Sequence, residues 1–157
     1  MRLMNFAVFL SIMFLFPGCR EKTVFPEKIT DNQLTRVLSG TEAKRIVDRI
    51  HLNNVATEDN SIGFYEGSSG QSIIYITVYN SQEMADTEWK RMTDKISPEN
   101  SVFVMGSVSD WDGKKVYRCF GMGQTHFVFT HNSMLIWVTT ETTSAKSFLE
   151  NYLNYLN

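Results

Sequence analysis

Apolar residues recur at different spacings along the chain, and the spacings divide it into elements. From Ser39 the period is helical, with Ala43, Ile46, Val47 and Ile50 on one face. Ser39 precedes Glu42 by three residues, the spacing of a capping box. Asn53 and Asn54 are the predicted stop, and Thr57–Ser61 reads as a loop. The pattern then alternates. Ser61–Gly67 and Gln71–Asn80 read as strands joined by Gly67-Ser68-Ser69-Gly70. In the second, Ile74, Ile76 and Val78 share one face, and Ile73, Tyr75, Thr77 and Tyr79 share the other. Two apolar faces predict a central, covered strand. Ser81 is placed to cap a second helix, whose stripe is Ala85, Trp89, Met92 and Ile96, with Pro98 just past its end. That periodicity makes Trp89 a core aromatic rather than a binding anchor.

The later half is richer in strands. Ser101–Trp111 meets Lys114–Phe120 across Asp112-Gly113, a strong two-residue hairpin signal. That turn pairs Trp111 with Lys114 and Val108 with Tyr117. It puts Val102, Val104, Val108, Tyr117 and Cys119 on one face, and Phe103, Met105, Trp111, Val116 and Phe120 on the other. Gly121-Met122-Gly123 is either a tight turn or a bend within one long strand. Gln124–Thr130 and Ser133–Thr140 follow, with His131-Asn132 as the expected turn. That register sets His126 opposite Trp137 on a face with Val128, Leu135 and Thr139. Phe127, Phe129, Met134 and Ile136 fall on the core face. A last helix starts near Thr143-Ser144 and carries Ala145, Phe148, Leu149, Tyr152, Leu153 and Leu156 on one stripe.

The order α-β-β-α-β-β-β-β-α predicts an α+β fold. Its curved, mostly antiparallel sheet of about six strands packs with three helices in one domain spanning 39–157. This order and the closing segment 132–153 resemble small exported α+β domains of the PsbP-like kind, as an analogy of architecture.

The N-terminus follows a different logic. After Met1-Arg2, Leu3–Phe16 is apolar except for Asn5 and Ser11. As a helix it would reach about 21 Å, short of the roughly 20 residues a membrane span needs. One positive charge before a short apolar run is the layout of a secretory signal, and Pro17-Gly18 ends it. Gly18 followed by Cys19 resembles the signal peptides of bacterial lipoproteins. The resemblance implies removal of 1–18, lipidation of Cys19, and a firm anchor of several acyl chains. It also implies a place in the cell envelope, on the periplasmic side of the outer membrane in a diderm host, because Asp is absent at position 20. Residues 19–38 then read as the lipidated cysteine and a flexible stalk. An ordinary signal peptide or simple N-terminal anchor is the alternative.

Composition narrows the function. The 157 residues include 43% hydrophobic and 13% aromatic side chains, enough for one core and suited to β-sheet. The formal charge is −2 with no basic run, which argues against a nucleic-acid partner. With Cys19 lipidated, Cys119 is a single thiol. It is the obvious nucleophile, with His126 the nearest histidine. Its face, shared with Val102, Val104 and Val108, predicts a small buried hydrophobe instead. His126 and His131 are five apart, on opposite faces of a continuous strand. No carboxylate completes a metal set with them. Asp110-Trp111-Asp112-Gly113 lacks the EF-hand spacing, and Gly121-Met122-Gly123 lacks the third glycine and helix of a phosphate fingerprint.

No cofactor or catalytic group is therefore expected. What remains is a surplus of aromatics: Phe103, Trp111, Phe120, His126 and Trp137 are the candidate binding surface. The expected function is a non-enzymatic, lipid-anchored lipoprotein that binds a protein partner or contributes to the envelope. The alternatives are an apolar ligand pocket between sheet and helices, or a small thiol enzyme using Cys119.

Overall fold

The computed structural model describes residues 23–51, 59–96, 99 and 101–157. Cys19 with its leader, Asn53-Asn54 and Pro98 lie outside the described residues. The elements are β1 (Lys28–Ile29), β2 (Asn32–Ser39), α1 (Gly40–His51), β3 (Asn60–Gly67), β4 (Gly70–Val78), α2 (Gln82–Thr93), β5 (Val104–Trp111), β6 (Lys114–Gly121), β7 (Gln124–His131), β8 (Met134–Glu141) and α3 (Ala145–Leu156). Among the described residues the strands form one open antiparallel sheet of eight, ordered β1-β2-β3-β4-β8-β7-β6-β5. The α+β class holds. The sheet has two strands more than expected.

Both extra strands come from the predicted stalk. Residues 32–39 pair onto β3 and residues 28–29 onto β2, although the sequence of β2, Asn-Gln-Leu-Thr-Arg-Val-Leu-Ser, does not alternate. Most of its side chains are exposed, so ladder hydrogen bonds rather than side-chain burial define it. Two residues fix its ends. Leu38 is buried with Ala43 and Val47 of α1, and buried Asn32 donates to Ser72 Oγ at 2.9 Å. Residues 23–27 are docked too. Phe25 lies against Gly63, where a Cβ would come within 2.6 Å of its ring. The hydroxyls of Tyr65, Tyr152 and Tyr155 donate to the carbonyls of Pro26, Val24 and Thr23 at 3.1, 3.1 and 2.6 Å.

The helices divide between the two faces. α3 buries Phe148, Leu149 and Tyr152 against Ile74, Ile76, Phe127, Phe129, Ile136 and Val138, the core face predicted for β7 and β8. On the other face α1 covers Ile62, and α2 covers Tyr117, Cys119, Val128 and Leu135. β4 is central, with a helix layer on each side. Ser81 caps α2, accepting from the Met84 amide at 3.2 Å. Trp89 packs into the α2-side cluster, its indole N–H donating to the Val128 carbonyl at 2.8 Å.

β5 to β8 form a meander of eight-residue strands with two-residue turns at Asp112-Gly113, Met122-Gly123 and Asn132-Ser133. Asp112, Met122 and Asn132 have φ of 51°, 52° and 53°, and the two glycines 81° and 80°, as hairpins of this length require. Gly121-Met122-Gly123 is thus a tight turn. The Trp111–Lys114 and Val108–Tyr117 pairs stand as predicted. The face assignments upstream of them do not. A bulge between Val104 and Ser107 inserts one residue, so Val104 pairs with Phe120. One extra residue moves every upstream side chain to the opposite face. Phe103 therefore joins the α2 face, and Val102 and Val104 leave it. Val108 keeps its predicted parity with Tyr117 but is exposed, because β5 is the edge strand.

Candidate functional site

Three of the five candidate residues meet on the α2 face. Phe103, His126 and Trp137 form a triangle of rings with centroids 4.7 Å (Phe103–His126), 5.3 Å (Phe103–Trp137) and 5.7 Å (His126–Trp137) apart. β7 and β8 supply His126 and Trp137. The bulge in β5 delivers Phe103. His126 is fully buried, and the other two are partly exposed. His126 and Trp137 are not directly opposed. The turn is Asn132-Ser133, one residue later than expected, so His126 pairs with Thr139 and Val128 with Trp137. His126 and Trp137 are diagonal neighbours on one face, because the register moved by two and preserved the alternation.

Both imidazole nitrogens are engaged. The Trp137 indole can only donate, and it lies 3.1 Å from Nδ1. The Gly121 carbonyl can only accept, and it lies 3.0 Å from Nε2. Thr139 Oγ1 is 3.1 Å from Nδ1. These partners assign the neutral tautomer with the proton on Nε2. Burial lowers the pKa of His126 below that of a free histidine, against a smaller opposing effect of the Gly121 carbonyl. A proton on Nδ1 would face the indole N–H. The imidazole is a buried positioning group, not a free base.

Cys119 pairs with His126 across β6 and β7 and is completely buried. Burial pushes its thiol up to about 11, leaving little thiolate near neutral pH. The predicted structural thiol fits this setting, although Tyr117, Val128 and Leu135 surround it rather than Val102, Val104 and Val108.

The other two candidates lie across the sheet. Trp111 packs edge-on against Phe127 at 6.4 Å, beside the α3-side core. Phe120 lies beneath the Arg118 guanidinium at 5.4 Å, lining an open groove with Val102, Val104, Gly121, Gly123, Gln124 and Thr142. A second open groove runs along α2 past Asp86, Lys90 and Asp94. Both are surface features rather than apolar cavities between sheet and helix. Lys114 Nζ lies 2.8 Å from His131 Nδ1, and partial burial lowers the pKa of this lysine. Among the described residues no three His, Cys, Asp or Glu side chains come close enough to hold a metal ion.

Gly121 is the residue the sequence reading missed. Its carbonyl orients His126, and a Cβ there would sit 2.5 Å from the Phe103 ring. The signal lies in the turn itself. Positive φ at Met122 and Gly123 closes the hairpin, so Gly121 answers to a different constraint.

The arrangement is similar in fold to the crystal structure of a GTP binding regulator from Thermotoga maritima. The TM-score is 0.54 at 14% identity, over 82% of this chain and 80% of that one. No protein-family model matches the sequence, and no curated protein does.

Proposed function

We propose that this chain is a lipid-anchored, exported bacterial lipoprotein whose domain binds a protein partner at the envelope without catalysing a reaction. The observation that carries the reading is the Leu3–Phe16 apolar run closed by Gly18-Cys19. The docked segment 23–27 lies close in sequence to that cysteine. Thr23, whose carbonyl is held by Tyr155, is four residues on, a reach of at most about 14 Å. A lipidated Cys19 would hold the domain close to the bilayer rather than on a long stalk. No helix of the described residues is long and apolar enough to cross a membrane. The non-enzymatic part is supported by the buried thiol of Cys119 and the doubly engaged imidazole of His126. The likeness to PsbP-like exported domains and the outer-membrane destination belong to the same proposal. The fold neighbour's designation is not carried over, because Gly121-Met122-Gly123 joins two strands and opens no helix.

Mass spectrometry of the mature N-terminus tests the anchor. The expected first residue is Cys19 bearing acyl chains, and Cys19→Ser should leave the uncut precursor. An intact Met1, or a free terminus elsewhere, on the wild-type protein would overturn the reading.

A further inference from the structure

The two edges of the sheet are unlike. β1 is two residues long, and the docked segment 23–27 runs into it. β5 is eight residues long, and every residue from Val104 to Asp110 is exposed. No residue from Ser101 to Ser109 is charged, and none is proline, so neither charge nor proline protects this stretch of the edge, and the bulge between Val104 and Ser107 leaves Ser107–Trp111 in regular ladder. Five of the seven large apolar side chains exposed among the described residues are Val102, Val104, Met105 and Val108, on or beside β5, and Met122 on the neighbouring turn. Met105 is 74% and Val108 55% exposed. What an open edge accepts is another strand, because its unpaired N–H and C=O groups form half a ladder. The two-residue turn makes Trp111–Lys114 a bonded pair, and bonded pairs alternate along the ladder. Val108 and Asp110 thus direct their backbone groups to the open side.

We propose that β5 pairs antiparallel with β5 of a second copy, about a two-fold axis at Val108, joining the two sheets into one. This register sets Val108 opposite its own copy, Ser107 opposite Ser109, and Gly106 opposite Asp110. No like charges meet, and one contact covers both open edges. A two-residue β1 offers almost no ladder to the β5 of another molecule, so association closes as a dimer instead of propagating. The N-terminal segment lies on the β1–β3 side, with β5 up to seven strand spacings away, roughly 34 Å. A membrane anchor there leaves β5 clear, and the pairing itself does not require lipidation.

The test uses the full chain purified in detergent. A bonded antiparallel pair separates Cα atoms by about 5.5 Å, within disulfide range. Oxidised Val108→Cys should therefore run mostly at twice the monomer mass on a non-reducing gel and revert on reduction. With Cys19→Ser in every chain on that gel, the parent, whose one remaining thiol is the buried Cys119, and Lys115→Cys should remain monomeric. Sedimentation should find a wild-type dimer, and Val108→Lys should return it to monomer with unchanged circular dichroism. A monomeric wild type at every concentration up to about 100 μM, set against the micromolar range of modest interfaces, would overturn the proposal. So would an uncrosslinked Val108→Cys, equal crosslinking of Lys115→Cys, or a dimer that survives Val108→Lys.

Discussion

The indole N–H of Trp137 donates to Nδ1 of His126 at 3.1 Å, on a diagonal of the β7–β8 ladder. The bond uses the one Trp137 atom that must be satisfied when the ring packs down, and it fixes the His126 tautomer. Phe103 closes over both rings. The cluster ties the bulged edge strand to the middle of the sheet, which gives each of its members a measurable role in stability.

Trp137→Phe keeps the ring contact and deletes the donor. The expected loss is about 1–2 kcal/mol, the range for a buried hydrogen bond. Trp137→Ala also removes the ring and should cost about 2–4 kcal/mol, below the fully buried limit because Trp137 is partly exposed. Urea unfolding measures both. A Trp137→Phe variant as stable as the wild type would show that the hydrogen bond contributes nothing beyond packing.

His126 should make the fold acid-sensitive. Its folded pKa lies below the ordinary value of 6.5 through burial, so the unfolded chain takes up its proton first as pH falls. Its contribution is fully present above about pH 6.5 and is lost as pH falls through the folded pKa. The wild-type urea midpoint should drop between pH 7.5 and pH 5. His126→Gln should be less stable at pH 7.5 and flatter over that interval. Parallel pH profiles for the two proteins would rule this histidine out as the source.

Gly121→Ala and Gly123→Ala should both destabilise, for different reasons. At Gly121 the new methyl meets the Phe103 ring at 2.5 Å, an overpacking cost of about 1–3 kcal/mol. At Gly123 nothing lies within 4 Å, but φ is +80°, and the conformation itself costs about 1–2 kcal/mol. Phe103→Ala in the same chain should absorb most of the Gly121→Ala penalty and none of the Gly123→Ala penalty. Double-mutant cycles in urea read the difference.

Cys119 should resist alkylation. With the thiol pushed up to about 11 and completely buried, iodoacetamide at pH 8 should leave its peptide unmodified in the folded protein and label it fully in denaturant. Cys119→Ala should cost about 1 kcal/mol, the scale of a small buried group, with partner binding unchanged. Rapid labelling of the folded chain would contradict the burial.

Patterns that depend on near neighbours were legible in the sequence. The helical stripes of α1, α2 and α3 follow from a period of 3.6 residues, and the Asp112-Gly113 hairpin from the φ its turn demands. The core face of β7 and β8 survived a misplaced turn because a shift of two preserves alternation. The ten-residue spacing of the three meander turns was an available signal that would have placed the last one correctly.

Other features were decided by partners distant in the chain. β2 has no alternation to announce it and exists because β3 offers a ladder. The bulge at Met105-Gly106 reflects the Tyr117 hydroxyl, which occupies the space a Gly106 side chain would need. That single insertion reassigned Phe103 from one face to the other and so assembled the aromatic triangle. Sequence by itself therefore determined the three helices, strands β3 to β8 and the apolar stripes most of them bury, since those follow from local periodicity and backbone preference. Tertiary structure decided which strand lies at the edge, where the ladder slips by one residue, and which rings meet. Those outcomes depend on groups brought together only by folding.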